Sequence, residues 1–381
     1  MIVKMKLLEI IETKQINKPD EVILNESRAK WDSIAKPLNS LGRFEDAINR
    51  IAAIAGTTDL SLDKVILYVF AADNGVVDEG ISQAGQEVTA ICAKGIAAGR
   101  HSVAVMAKKA GVDVQVVDIG VNADMSGMYD VHSEADVSGS VRVEDDHLCD
   151  GYILNRKIRM GTRNFAVKEA MTEEEAMAAM ETGFELVETA KAKGYELVCI
   201  GEMGIGNTTT STAIACSLLG LQAEDITGRG AGLDSEGLAI KKQVIQSAID
   251  NYGLYGSNPL TVLKTVGGFD IAAMAGVYIG GAAYGMPIVM DGVISAVAAL
   301  VAERLVPGVK EYIIPSHMSG EPAMIRITEE LNLAPVIEGN MSLGEGTGAV
   351  LMVELINNIV QVYNHAARFD ERDITPYEHL N

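Results

Sequence analysis

Short apolar runs and longer periodic segments alternate along most of the chain. Residues 64–73 (KVILYVFAAD), 112–120 (VDVQVVDIG), 196–202 (ELVCIGE), 287–291 (PIVMD) and 311–316 (EYIIPS) are rich in β-branched and apolar side chains. Such runs predict strands buried on both faces. Helical spacing predicts helices over 90–110, 172–193, 208–219, 235–251, 271–284, 295–304, 321–331 and 347–363. The 172–193 segment opens with Glu173, Glu174 and Glu175, which complement a helix dipole. Residues 1–56 read as polar and helical, ending in an amphipathic stretch over 44–55, whereas 121–163 read as irregular and 368–381 as a charged tail. No repeat or low-complexity tract breaks the pattern. Strands alternating with helices predict an α/β fold, a parallel sheet covered by helices on both faces. The two helical ends are expected to pack together, which divides the chain into a large α/β domain over 60–345 and a small helical domain from 1–59 plus 346–381.

Composition narrows the class. With 48% hydrophobic and 22% charged residues the chain is too apolar for disorder and too charged for a multi-span membrane protein. A net charge of −21 repels nucleic acid and anionic lipid, so neither is expected as a partner. The 38 glycines against 9 prolines, with only 5% aromatic residues, suit an enzyme with close backbone approaches to a ligand. Cys92, Cys149, Cys199 and Cys216 show no CxxC spacing, which predicts reduced thiols and a cytoplasmic setting. The first fifteen residues lack a long apolar core and a small-residue cleavage site, so no signal peptide is expected. The uncharged window 271–290 has the ~20-residue length of a membrane span. Gly276, Gly280, Gly281, Gly285 and Pro287 within it predict instead a buried helix that breaks at 285–287 into a buried strand.

Ligands of open parallel sheets sit at the carboxyl ends of the strands, so the loops there carry the candidate chemistry. AADNGVVDEG (71–80) follows one strand and GEMGIGNTTT (201–210) another. The second joins a carboxylate, alternating glycines, an Asn and three Thr at a helix start, the composition of an anion cradle. A tight turn with a Thr cap would have the same local sequence. It is neither a Walker A loop nor a GxGxxG turn. TGRGAGLDSEG (227–237) adds Arg229, with Lys241 and Lys242 in the following helix. VGGFD, DGVIS and SHMSGEP stand at three more element ends, and SLGEGTGA (342–349) holds Glu345 between two glycines before a helix. Burial of a carboxylate among glycines raises its pKa toward the range of a general base. Glu202 and Glu345, each at a Gly-rich turn into a helix, form a candidate pair. The six His show no HxxxH or CxxC partners, so neither a metal nor a cofactor is expected. No GxSxG elbow is present, and His317 reads as a phosphate or structural donor.

These motifs resemble the nicotinate-nucleotide–dimethylbenzimidazole phosphoribosyltransferase family. KPLNSLGRFE, AADNGVVDEG, EVTA, NFAVKEAMT, GEMGIGNTTT, GRGAGLDSEG, VGGFDIAAMAGV, DGVIS, SHMSGEP and LGEGTGA occur in the family's order from about residue 36 to 355. The resemblance implies a Rossmann-like large domain, a small domain from both termini and a homodimer. It implies transfer of phosphoribose from nicotinate mononucleotide to an aromatic base, giving an α-ribotide 5′-phosphate and nicotinate. By the same resemblance Glu345 is the general base that takes the N–H proton of the incoming base. Glu202 is a second carboxylate near the reacting ribose, and Lys241 lies near the phosphate. Gly204, Gly206, Asn207 and Thr208 cradle the nucleotide, with Ser319 and Gly344 opposite.

The chain departs from the family where the acceptor is chosen. Many members carry His at the position of Asn74, and benzimidazole users carry Ser and Gln where this chain is aligned with Ala84 and Cys92. Fewer polar groups there predict a different or broader acceptor: another benzimidazole, a purine or a phenol. A non-catalytic nucleotide-binding relative is the alternative from another class, and retention of both Glu202 and Glu345 speaks against it. A pyrophosphate-donor phosphoribosyltransferase would show an acidic pair before a Thr-rich phosphate loop, a pattern absent from this sequence.

Overall fold

The computed structural model describes residues 7–129, 151–372 and 374–378. Cys149, His132, His147, His379, the middle of the 121–163 stretch and the end of the tail lie outside the described residues.

Six parallel strands form the sheet: β1 (Val65–Ala72), β2 (Val112–Gly120), β3 (Ile153–Asn155), β4 (Leu197–Met203), β5 (Ile288–Met290) and β6 (Ile313–Pro315). Their spatial order is β3-β2-β1-β4-β5-β6, the doubly wound order of a Rossmann-like sheet. β7 (His317–Ser319) and β8 (Ile337–Met341) make a separate two-stranded parallel pair. The apolar runs are strands because both sides of each are covered. Along β1, Ile66, Tyr68 and Phe70 enter one buried cluster while Val65, Leu67 and Val69 enter the other. The helices Glu173–Ala192, Phe269–Tyr284 and Val293–Leu305 cover the first face. Arg43–Ala55, Glu87–Ala97, Ser102–Ala110 and Thr347–His365 cover the second.

The terminal segments meet across this second face. Trp31 and Tyr363 have ring centroids 4.9 Å apart, Tyr363 donates to Ser27 Oγ at 2.9 Å, and Lys30 Nζ donates to Asn364 at 2.9 Å. The Thr347–His365 helix also packs on the sheet, in one cluster with β1 and β4.

Three local expectations change. The segment 90–110 is two helices, because the chain turns at Gly99, whose φ is +72°, and the N–H groups of Arg100 and His101 return to Gly95 O. β3 lies in a stretch read as irregular; three residues at a sheet edge are too few to show periodicity. β7 and β8 were likewise invisible, since their residues have no continuous apolar pattern. The uncharged 271–290 window is the buried Phe269–Tyr284 helix, then Gly285 in a left-handed turn, then β5. Among the described residues no helix is long and apolar enough to cross a membrane.

Two glycines set the approach of the central helices. A Cβ on Gly183 would fall 1.9 Å from Ala273 O, and one on Gly276 would fall 1.9 Å from Met180 O. The helix backbones therefore touch, and neither can yield by rotating a side chain. Gly276→Ala should lower the unfolding free energy by roughly 1–3 kcal/mol despite the better helix propensity of Ala. Urea denaturation of the full chain checks this; an unchanged or raised midpoint would contradict the close approach.

Candidate active site

The sheet order reverses between β1 and β4, and a cleft of about 240 Å³ opens at their carboxyl ends. Such a crevice is where doubly wound sheets hold ligands. Glu202, Gly204, Gly206, Asn207, Thr208, Ser319, Gly344, Glu345 and Cys92, all singled out from sequence, line it together.

One wall suits an anion. Gly206 has φ +93° and turns the chain into the Asn207–Leu219 helix, whose N-terminus faces the cleft with Thr208. A Cβ on Gly204 would fall 2.4 Å from Ala72 O, so only glycine lets this turn pack on the end of β1. Lys241 is not itself a lining residue. It is fully buried behind the turn, and its ammonium donates to Thr208 Oγ1 at 2.8 Å. Burial pulls its pKa down to about 8, opposed by Glu321. Arg229 lines the cleft beside Gly230. A helix N-terminus with a buried ammonium behind it and a guanidinium on the lining matches a phosphate.

The other wall is acidic. Gly344, Glu345 and Gly346 have φ of +80°, +61° and +93°, three consecutive left-handed residues before the Thr347–His365 helix. For Glu345 that conformation costs ~1–2 kcal/mol. The turn is held from two sides. Asp291, at the end of β5, accepts from the N–H of Gly346 at 3.1 Å and of Gly348 at 2.7 Å. Gly201 lies beneath, where a Cβ would fall 2.4 Å from Glu345 O. Glu345 is buried: Oε1 lies 3.1 Å from His101 Nδ1, while Oε2 has no hydrogen-bond partner. A buried, unpartnered carboxylate oxygen in a cleft wall is set to accept a proton or hydrogen bond from a ligand.

Glu202 lies against the same turn, its Oε1 only 2.6 Å from where a Cβ on Gly344 would stand. Burial, then the nearby charges of Asp270 and Asp291, push its pKa up to about 8. Burial likewise pushes Asp270 up to about 6. The side-chain amide of Asn207 donates to both carboxylates, to Glu202 Oε2 and, at 3.0 Å, to Asp270 Oδ2. Asn207 is thus a clamp between two acids as well as a part of the nucleotide turn.

Some residues are not legible in the sequence, and besides Lys241 one more expected site residue is off the lining. Ala84 does not line the cleft; Ser82 and Gln83 before it do, so the wall is more polar than Ala84 suggested. His101 left no signal, because only the break after Gly99 brings its ring to Glu345. Cys92, His101 and Glu345 present ligand atoms within 4.8 Å of one another, a grouping that spacing rules could not detect because three separate elements supply it. Asp291 was visible as a strand-end carboxylate, but its bonds to the helix start were not.

A phosphoribosyltransferase family profile matches residues 16–374. The chain belongs to that family. A relative from Acetivibrio thermocellus, named nicotinate-nucleotide–dimethylbenzimidazole phosphoribosyltransferase, is 42% identical over 349 residues, 92% of this chain and 93% of the relative. A relative of the same name from Clostridium acetobutylicum is 39% identical over 96% of this chain and 98% of its own length. The solved structure of nicotinate-nucleotide–dimethylbenzimidazole phosphoribosyltransferase from Thermus thermophilus superposes with a TM-score of 0.80. It is 35% identical and covers 92% of this chain and 98% of its own. This similarity to members of the family spans the cleft and both flanking walls.

The raised pKa of Glu202 has a consequence for stability. Between its ordinary value of 4.5 and about 8, the folded chain holds a proton that the unfolded chain releases. Folding stability contributed by this group is complete at the acidic end of that window and falls as pH rises through it. Glu202→Gln, which needs no proton, should melt higher than the parent, with the difference growing toward the alkaline end. Thermal melts across that window measure it; a constant difference would show that Glu202 titrates normally.

Proposed function

We propose that the chain transfers the phosphoribosyl group of nicotinate mononucleotide to an aromatic nitrogen base of the dimethylbenzimidazole class. The products are an α-ribotide 5′-phosphate and nicotinate. The observation that carries this reading is Glu345, a buried carboxylate of the cleft wall whose Oε2 has no hydrogen-bond partner, in a cleft whose other wall is a helix N-terminus with Lys241 behind Thr208 and Arg229 on the lining.

The donor carries a phosphate dianion at one end and a cationic pyridinium at the other, and the two walls have matching polarity. Gly204, Gly206 and Thr208 take the phosphate, with Ser319 across the cleft and the buried Lys241 ammonium supplying positive charge from behind Thr208. The nicotinate ring leaves as a neutral pyridine, so the leaving group needs no proton. Attack by the acceptor nitrogen from the opposite face of the ribose inverts C1′ from β to α. Glu345 removes the N–H proton from the acceptor's other nitrogen as the new bond forms, which keeps the product neutral at the ring. His101 holds Glu345 Oε1 and leaves Oε2 for that proton.

Glu202 acts on the ribose side. In the free protein its burial favours the protonated form at neutral pH. A cationic pyridinium or an oxocarbenium-like C1′ beside it favours the carboxylate, so the charge is created where positive charge arrives. The clamp from Asn207 keeps one oxygen fixed throughout. The resemblance also carries a homodimer, which light scattering of the purified chain tests.

Incubation with nicotinate mononucleotide and a panel of bases, with nicotinate release followed by chromatography, tests the reaction; no release with any base would reject it. Glu345→Gln should lower turnover by ~10²–10⁴-fold while the fold stays intact, the usual worth of a general base. Wild-type turnover in the folded variant would remove Glu345 from the mechanism.

Acceptor choice follows the lining. Cys92→Gln places an amide in the cleft and should change the product ratio between dimethylbenzimidazole, adenine and p-cresol in competition. Ala84→Ser should leave that ratio unchanged, because residue 84 does not line the cleft. The reverse pattern would show that the acceptor sits elsewhere.

A further inference from the structure

We propose that Cys92, His101 and Glu345 form an inhibitory site for a borderline-soft divalent cation of the zinc class. The cation occupies the base side of the cleft and takes Glu345 out of catalysis. The cation site stands on geometry alone, whereas its inhibitory effect rests on Glu345 being the general base.

Three features converge. First, a thiol sulfur, an imidazole nitrogen and a carboxylate oxygen lie within 4.8 Å of one another. Ligands at zinc bond lengths of about 2.0–2.3 Å sit roughly 3.3–3.8 Å apart in a tetrahedron, so small side-chain rotations close the set. Secondly, Glu345 is only 7% exposed and its Oε2 has no partner, so one buried ligand atom is already directed at nothing in the protein. Thirdly, the imidazole is held in place. Its Cδ2 lies 2.3 Å from where a Cβ on Gly95 would stand, so the glycine makes room for the ring. Cys92 is half-buried on the cleft wall and the His101 side chain keeps 30% of its surface exposed, so a cation reaches the trio from the cleft.

The ligand chemistry selects the ion. One sulfur, one nitrogen and one carboxylate suit Zn²⁺, with the fourth position open to water. Mg²⁺ and Ca²⁺ require six or more oxygens and find only one such group here. On binding, the cation displaces the Cys92 thiol proton to solvent and accepts lone pairs from sulfur, nitrogen and oxygen, with no change of oxidation state. Glu345 then has its lone pair on the metal and cannot take the acceptor's proton.

Cobalt titration of the full-length protein tests the site without any turnover. Co²⁺ should produce a thiolate-to-cobalt charge-transfer band that saturates at a single equivalent and disappears in Cys92→Ser. Absence of the band in the parent, or its survival in Cys92→Ser, would overturn the site whatever reaction the protein performs. In the nicotinate-release assay Zn²⁺ should inhibit, and EDTA should restore the rate measured before zinc was added. Relative to each variant's own zinc-free rate, the half-inhibiting Zn²⁺ concentration should rise at least ~10-fold in Cys92→Ser and in His101→Ala. Gly95→Ala keeps all three ligands but displaces the ring, and should weaken Zn²⁺ in the same direction. Equal zinc sensitivity of parent and variants would overturn the inhibitory role.

Discussion

A carboxylate at the end of β5 fixes the geometry on which the cleft depends. Asp291 is buried and accepts from the backbone N–H groups of Gly346 and Gly348, so the start of the Thr347–His365 helix is tied to the centre of the sheet. Burial alone pushes the Asp291 carboxyl up; the nearby His317 and those N–H donors oppose this and favour the anion. The tie forces the three residues before the helix into left-handed conformations. Two of them are glycines and adopt it at little cost. The third, Glu345, is held there against its own preference. Strain of this kind persists only where surrounding contacts over-determine the backbone. Gly201 supplies the other side of the constraint by leaving no side chain between β4 and the turn.

Around that anchor the site separates charge. Carboxylates of Glu202, Asp270, Asp291 and Glu345 gather at the ends of β4 and β5 and at the helix starts beside them, while Lys241 sits behind the start of the Asn207–Leu219 helix and Arg229 lies on the cleft lining. Burying so many acids would be prohibitive if all were ionised without partners. The protein lowers the cost by letting Glu202 and Asp270 hold protons more readily and by placing the Asn207 amide between them. The same environment lets Glu202 respond when a cationic ring enters. A nucleotide with a dianion at one end and a pyridinium at the other is the charge pattern these walls complement.

The identity of the elements was largely legible in the sequence because the sheet is buried on both faces. The runs over 64–73, 112–120 and 196–202 needed no long-range information: a short, continuous apolar run between helices has few other stable placements. The Gly-rich turns were legible for a similar reason, since a glycine at φ +93° or beneath a neighbouring carbonyl is irreplaceable locally. Glu202 and Glu345 stood out because each sits in such a turn. β3, β7 and β8 were not legible, being short edge pieces whose pairing partners, not their own residues, make them strands.

The sequence by itself therefore determined the α/β class, the position of the cleft at the strand ends, and the residues of its glycine-lined walls. Only the tertiary structure decided how those walls work. The break after Gly99 brings His101 to Glu345, the packing of β5 brings Asp291 under the helix start, and the Glu87–Ala97 helix brings Cys92 to both His101 and Glu345. It also put Ser82 and Gln83, rather than Ala84, into the lining. Each of these contacts joins residues from separate elements through the ends of rigid units. Periodicity and local spacing report the faces of single elements, whereas the meeting of two ends depends on how every layer between them packs.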